Sequence, residues 1–305
     1  MIDEIGPAAR EKGAEGSDAR SPLIARRGRG YHILPGGTGR RRFGALPYAL
    51  VYVFALGTLW TGVTTRAAAC FCIFYALRVL GVTVAYHRYF SHRSFSTSRA
   101  FQFVLGVLAE TTLQKGILWY ASHHRHHHRH SDTELDLHSP RQRGFWYAHL
   151  LWIFDNTTET DYRHIKDLSR YPELRWLDRY WVLPPALLAV VALAWGGLPA
   201  LCFGFFANTV VVWHVTYSIN SVAHRFGRRR FETSDDSRNN GVLGLLMFGE
   251  GWHNNHHHCM RSVRLGLRWW EIDIGYYVIR LLAALGIVWD LREPPPELLG
   301  QKTKG

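Results

Sequence analysis

Four long apolar blocks punctuate the chain, at about residues 46–65, 67–86, 180–197 and 199–219. Each approaches the ~20 residues that a helix needs to cross the hydrocarbon of a bilayer, so the pattern predicts four transmembrane helices. The first pair is separated by little more than Arg66, and the second by Gly196–Gly197–Leu198–Pro199. Links this short predict two helical hairpins. Pro184 and Pro185 fall near the start of the third block, where a helix tolerates proline best. Two further stretches are apolar but interrupted. Residues 100–119 contain Glu110, Gln114 and Lys115, and residues 269–289 contain Trp269, Trp270, Tyr276 and Tyr277. They read as helices packed on protein or lying in the membrane interface. Residues 1–45 have no period and are expected to form a disordered basic tail without a signal peptide. Residues 46–292 read as one membrane-embedded domain and 293–305 as a short C-terminal tail.

Composition changes this picture only through the placement of charge. The mean hydropathy of −0.12 conceals a strong segregation, and the net charge of +12 invites a nucleic-acid partner. That reading fails, because the basic residues flank apolar blocks and form no patch on a soluble fold. Lysine and arginine number nine up to residue 45, thirteen over 87–179 and eight over 220–270, whereas the hairpin tips hold Arg66 alone. By the positive-inside rule both termini and both long polar segments face the cytoplasm. Arg78 lies inside the second block and wants a partner such as Glu110, or a route to the surface by snorkelling. Cys70, Cys72 and Cys202 sit in apolar blocks and Cys259 stands alone, so no disulfide framework or cysteine zinc site is expected.

The chemistry is carried by histidine. Six of the chain's 18 histidines fall within Ser122–His130. His124, His127 and His128 share one face of a helix, and the spacing recurs at His253, His256 and His257. His87 and His92 stand just past the second block. His224 and Asn220, four apart, share the end of the fourth. Nine imidazoles exceed one metal's capacity but suit two, with a position left for oxygen. Asn220 could hold a metal-bound water, and Asp132, Asp136 and His138 could either orient ligand rings from behind or form no more than a polar turn. Nitrogen-only ligation argues against structural zinc. The glutamate-rich pattern of soluble di-iron bundles is absent from these boxes.

The runs His87–Arg88–Tyr89–Phe90–Ser91–His92, His124–Arg125–His126–His127–His128, Asn220–Ser221–Val222–Ala223–His224 and Gly249–Glu250–Gly251–Trp252–His253–Asn254–Asn255–His256–His257 together resemble the integral-membrane acyl-CoA desaturases of the stearoyl-CoA delta-9 type. The resemblance runs from about residue 46 to 292. It implies an all-α membrane protein with four transmembrane helices in two hairpins and a cytoplasmic helical cap holding two iron ions. It also implies a cis desaturation of a saturated acyl chain by O2 and two electrons. The implied iron ligands are His87, His92, His124, His127, His128, His224, His253, His256 and His257, with Asn220 acting through water. His123, His126, His130 and His258 match no ligand position.

Gln114, Tyr120 and Thr216 match positions lining the substrate tunnel, and residues on the second block such as Tyr75 and Ala76 are expected to close it. Ser122–His123 stand where the animal enzymes carry Arg–Asp near the headgroup, and the 138–144 link is one residue longer. An acyl-lipid or acyl-carrier-protein substrate therefore stays open beside acyl-CoA. With no fused electron carrier expected, electrons would come from a separate ferredoxin, or from cytochrome b5 and its reductase. A fatty acyl hydroxylase or alkane monooxygenase on the same scaffold, and a non-catalytic membrane metal binder, are the competing readings.

Overall fold

The computed structural model describes residues 42–155 and 159–300, so most of the basic tail and the last five residues lie outside it. The described chain is mostly helical, with a single antiparallel pair of two-residue strands, Ser96–Thr97 on Val288–Trp289. Among the described residues two helices are long and apolar enough to cross a membrane, Thr65–Ser91 and Leu183–Ser221. The second is two segments. At Gly197 the backbone turns out of the helix (φ 66°, ψ −159°), a conformation that glycine adopts without a Cβ penalty. This is the expected link between the third and fourth blocks. The first block forms Arg42–Leu56, breaks at Gly57 and resumes over Thr58–Thr61.

These helices pack through small residues on one side and leave large apolar ones outside. Ala67, Cys70 and Phe74 meet Ala192, Ala200 and Phe205 in one buried cluster. A Cβ on Gly204 would come within 2.8 Å of the Cys70 side chain, so the two helices approach more closely there than any larger residue permits. Leu50, Val53, Phe54, Leu187, Val190 and Leu198 instead point outward and are exposed. In water such a face would be costly, whereas in lipid it is the ordinary exterior.

The interrupted stretches behave differently from the blocks. Residues 100–119 do not form one helix. The chain is helical over Arg99–Glu110, then passes through Leu113 (φ 60°) and Lys115 (φ 71°) before a new helix begins at Ile117. Ile274–Ala284 is helical, with Gly275 and Ile279 buried and Tyr277 and Leu281 exposed. The C-terminal stretch includes a short helix, Pro296–Gly300.

Arg78 and Glu110 are both fully buried but do not pair. Arg78 donates to the Phe205 carbonyl, Asn208 Oδ1 (2.9 Å) and Thr209 Oγ1 (2.7 Å), and its guanidinium lies 4.4 Å from the centre of the Phe205 ring. Its partners come from the turn of helix packed beside it, which neither the carboxylate nor the snorkelling alternative anticipated. Glu110 accepts from the Ile117 N–H (3.2 Å). Burial pushes its carboxyl up to about 9, with Asp178 adding to the effect. Glu110 therefore keeps its proton in the folded protein where an unfolded chain would lose it. Stability should fall as pH rises from the ordinary glutamate range toward 9, by at most about 1.4 kcal/mol per pH unit. Glu110→Gln should remove that dependence, raising the melting temperature of detergent-purified protein at pH 8.5 more than at pH 5.5. A gain equal at both pH values would mean that Glu110 is ionised in the fold.

Candidate metal centre

Local winding decides which histidines can meet. In an α-helix, residues five apart point about 140° away from each other, so His87 and His92 would diverge. Here the Thr65–Leu80 helix continues over Gly81–Ser91 in widened π-type turns. The His92 amide donates to the His87 carbonyl at 3.1 Å, an i→i+5 bond that stacks one residue above the other. Their rings then lie 4.8 Å apart. The second box occupies the C-terminal half of Ile117–His130, and the third the short helix His253–His258.

The nine histidines converge in two groups, the five of His87, His92, His124, His128 and His256, and the four of His127, His224, His253 and His257. Each i, i+3, i+4 box is divided between them. His124 and His128 join the first group and His127 the second, while His256 joins the first and His253 and His257 the second. The groups are adjacent, with the His128 and His257 rings 4.5 Å apart.

The donor atoms fit a metal. In the first group Nε2 faces Nε2 from His92 to His124 (2.8 Å), His124 to His128 (2.9 Å), His128 to His256 (2.9 Å) and His256 to His87 (3.0 Å). A neutral imidazole carries one N–H, so five nitrogens this close set lone pairs against each other unless a cation sits among them. In the second group His224 and His253 meet Nε2 to Nε2 at 3.0 Å. Nε2 of His257 is buried with no hydrogen-bond partner among the described residues.

Four rings are held from behind by carboxylates. His127 Nδ1 lies 3.0 Å from Asp136, His224 Nδ1 lies 2.9 Å from Asp132, His257 Nδ1 contacts Asp235 and His87 Nδ1 contacts Glu250. Such pairing fixes the tautomer, puts the lone pair on Nε2 and raises ligand basicity. Burial, and then the neighbouring rings, drive His92, His124, His128, His253 and His256 well below the usual histidine range, which keeps them neutral and ready to ligate. Burial acts on His127 too, but Asp136, joined by Asp132 and Asp235, outweighs it and raises that ring. Asp132, Asp136 and Asp235 are buried, yet the facing histidines hold each below the ordinary carboxylate range.

Of the residues named for that supporting role, Asp132 faces His224, Asp136 faces His127, and the His138 and His127 rings lie 4.5 Å apart. Glu250 and Asp235 were not anticipated. Glu250 could have been found, since it is buried in the third box three residues before His253. Asp235 lies in a loop 22 residues before His257, with no spacing to betray it. The remaining histidines are engaged elsewhere. His126 Nε2 bonds the Leu135 carbonyl, His130 packs on His126, His123 stacks on Trp119 and His258 stacks on Phe231.

Beside the first group runs a cavity of about 360 Å³, with His124 and Asn220 in its wall and aromatic sides that include Tyr48, Trp119, Trp213 and Tyr217. Gln114, Tyr120 and Thr216 all line it, and Gln114 donates to Thr216 Oγ1 at 3.2 Å. Tyr75 and Ala76 do not. The Tyr75 hydroxyl donates to the Leu246 carbonyl at 2.9 Å, and its ring belongs to a separate cluster with Val79, Val82 and Met247. The wall expected from the second block is supplied by the first, through Tyr48 stacked on Trp213 with centroids 4.5 Å apart.

Comparison with known proteins points to one family. A sequence model described as fatty acid desaturase matches residues 64–288. The chain is 37% identical over 229 residues to the acyl-CoA C20 Delta5-desaturase of Anemone leveillei, covering 74% of this chain and 73% of that protein. It is 38% identical over 224 residues to the sn-2 palmitoyl-lipid 9-desaturase of Nostoc sp. (strain 36), covering 72% and 78%. To the sn-1 stearoyl-lipid 9-desaturase of Synechocystis sp. it is 35% identical over 225 residues, covering 73% and 70%.

Proposed function

Because the chain belongs to the fatty acid desaturase family, we propose that it inserts a cis double bond at the delta-9 position of a saturated acyl chain, using O2 and two electrons at two irons. The observation that carries this reading is the convergence of nine imidazoles in groups of five and four beside an aromatic-walled cavity. Its ligands would be His87, His92, His124, His128 and His256 for one iron, and His127, His224, His253 and His257 for the other. Asn220, one turn before His224 and lining the cavity, would complete the smaller set through a water. Iron held there supplies the redox chemistry that lets O2 take hydrogen from an unactivated methylene. The protein's own part is positional. An acyl chain has no polar handle at its middle, so apolar walls and the bend at Gln114 and Thr216 would set which carbons stop beside His124. The buried surroundings keep bulk water from the reacting carbons.

Around this site the proposal places four membrane helices in two hairpins, with both termini and the site in the cytoplasm, and electrons arriving from a separate carrier. The domain would span 46–292. Support comes from the two long apolar helices, the turn at Gly197 and the distribution of lysine and arginine. A reporter that works only in the cytoplasm should be active when fused to the C-terminus, and activity of an exterior-only reporter there would overturn the topology.

The function is tested by fatty acid analysis of a host expressing the protein. New cis-9 monoenes should accumulate. A different bond position would leave the desaturase and remove the delta-9 assignment, and hydroxylated chains in place of alkenes would sink the reaction itself.

A further inference from the structure

Two histidines outside both metal groups, His149 and His214, belong to a line of hydrogen bonds that starts at the cavity wall. His214 lies in the fourth apolar block, where an ionisable side chain is costly and points to a function. Tyr48, a wall residue, meets the Tyr52 hydroxyl at 2.8 Å. The Tyr52 hydroxyl meets His214 Nε2 at 2.8 Å, and His214 Nδ1 meets His149 Nε2 at 2.9 Å. His149 Nδ1 lies 2.9 Å from Ser221 Oγ. The line thus joins the first apolar helix to the fourth and takes in the short helix Phe145–His149. Ring contacts run beside it. Tyr48 and Tyr52 have centroids 5.1 Å apart, and Tyr48 stacks on the wall residue Trp213 at 4.5 Å.

One end of the line fixes the direction of every hydrogen in it. Ser221 donates its O–H to the Tyr217 carbonyl at 3.1 Å, one turn back in the same helix. Its oxygen must then accept from His149 Nδ1–H. A neutral imidazole has one N–H, so His149 Nε2 is a lone pair and accepts from His214 Nδ1–H. By the same rule His214 Nε2 accepts from the Tyr52 hydroxyl, and the Tyr52 oxygen accepts from Tyr48. Every proton therefore points away from the cavity and toward His149. In this arrangement Tyr52 can lose a proton outward at the moment it loses an electron toward the cavity. An oxidised phenol is a strong acid, so a base already in place lowers the cost of oxidising it. The bond from Tyr48 steadies the oxygen left behind.

We propose that Tyr52 and His214 form a proton-coupled redox site, which gives up an electron when O2 is activated with no acyl chain in the cavity. This rests on the desaturase reading for the source of the oxidant. Tyr52 passes one electron, by way of Tyr48 and Trp213, to a one-electron oxidant formed from O2 at the centre. Its hydroxyl proton goes to His214 Nε2, while the His214 Nδ1 proton moves to His149 Nε2. The products are a neutral phenoxyl radical on Tyr52, an imidazolium at His149 and the oxidant reduced by one electron. The carrier protein that feeds the centre returns the electron, and the proton comes back along the same line. An unused oxidant is thereby spent on a residue that can be restored, and the cavity wall is spared.

The test begins with the full chain in nanodiscs, loaded with zinc as a redox-inert occupant that imidazoles accept. Histidine labelled with nitrogen-15 reports the tautomers by NMR, assigned by the signals lost in His149→Gln and His214→Gln. Both rings should carry their proton on Nδ1, and a proton on Nε2 of His214 would overturn the proposal. The same protein is then flashed with photogenerated ruthenium(III) tris-bipyridine and frozen for electron paramagnetic resonance. A long-lived tyrosyl signal should appear, and Tyr52→Phe should lose it. His214→Gln should slow its formation about a hundredfold, the usual contribution of a positioned proton acceptor. A lower melting temperature in Tyr52→Phe with the radical signal unchanged would show a cross-link between helices and no redox site. The iron-loaded chain is next run with carrier protein, reductase and O2. Without acyl substrate Tyr52→Phe should inactivate several-fold faster than the parent. With stearoyl chains offered as the CoA thioester and as phosphatidylcholine, it should desaturate at the parent's rate. Equal survival of variant and parent would refute the protective role and leave the desaturase standing. If the parent desaturates neither substrate, the desaturase reading falls, and the zinc-loaded arm alone decides whether the redox site exists.

Discussion

His127→Ala and His256→Ala should each lower double-bond formation by more than about a hundredfold, beyond the ten- to hundredfold usual for residues that only support a ligand. Each removes an imidazole from a different group, His127 from the four and His256 from the five. The two variants should therefore lose activity alike while disturbing different irons. Metal content should drop toward one iron per chain in each, with distinct spectroscopic signatures for the site that remains. His126→Ala is the internal control. Its Nε2 bonds the Leu135 carbonyl at 2.8 Å and belongs to neither group, so its loss should cost about 1 kcal/mol of stability and little activity. His130→Ala should behave in the same way. Abolition of activity in well-folded His126→Ala would show that the ligand register is misassigned.

The second large effect is expected from a residue that touches no metal. Asp235→Ala should weaken iron binding and activity about ten- to hundredfold. Asp235 accepts from His257 Nδ1 and is itself fixed by the Ser237 N–H at 3.0 Å and the Thr233 hydroxyl at 2.9 Å. Removing it frees the His257 ring to rotate or to protonate Nε2, either of which spoils a ligand. Asp235→Asn keeps an acceptor but discards the charge, so it should retain more activity than the alanine variant. Chelator competition monitored by iron release measures affinity directly and separates this role from a general loss of fold. If Asp235→Ala binds iron as tightly as the parent, the carboxylate is structural only.

Both predictions mark how far the sequence could be read. The boxes were legible because helical periodicity puts residues three and four apart on one side, and the two later boxes do occupy helices. Their division between two groups was not, since it depends on how four segments converge in space. The pairing of His87 with His92 depends on widened turns that no residue in Gly81–Ser91 announces. The turn at Gly197 was legible because glycine and proline limit the backbone locally. The partners of Arg78 and the break at residues 111–116 were missed because both follow from tertiary packing. Tyr75 was misplaced for a similar reason, as the face of a helix that meets a cavity is chosen by its neighbours.

The four carboxylates have a consequence for charge balance. Histidines ligating a metal would add no charge of their own, and Arg88, fully buried beside Glu250, is already matched by Asp273 at 2.8 Å. What remains is Asp132, Asp136, Asp235 and Glu250, four negative charges withdrawn from water. Two divalent ions would bring four positive charges. On the iron reading a centre holding both would carry no net charge, and losing one ion would leave two negative charges uncompensated in a medium of low polarity, where such charge is most expensive. Electrostatics alone would then favour the first ion over the second, since the first would enter against four negative charges and the second against two. The same carboxylates would oppose extraction of either ion without themselves taking a ligand position, because they contact the rings at Nδ1.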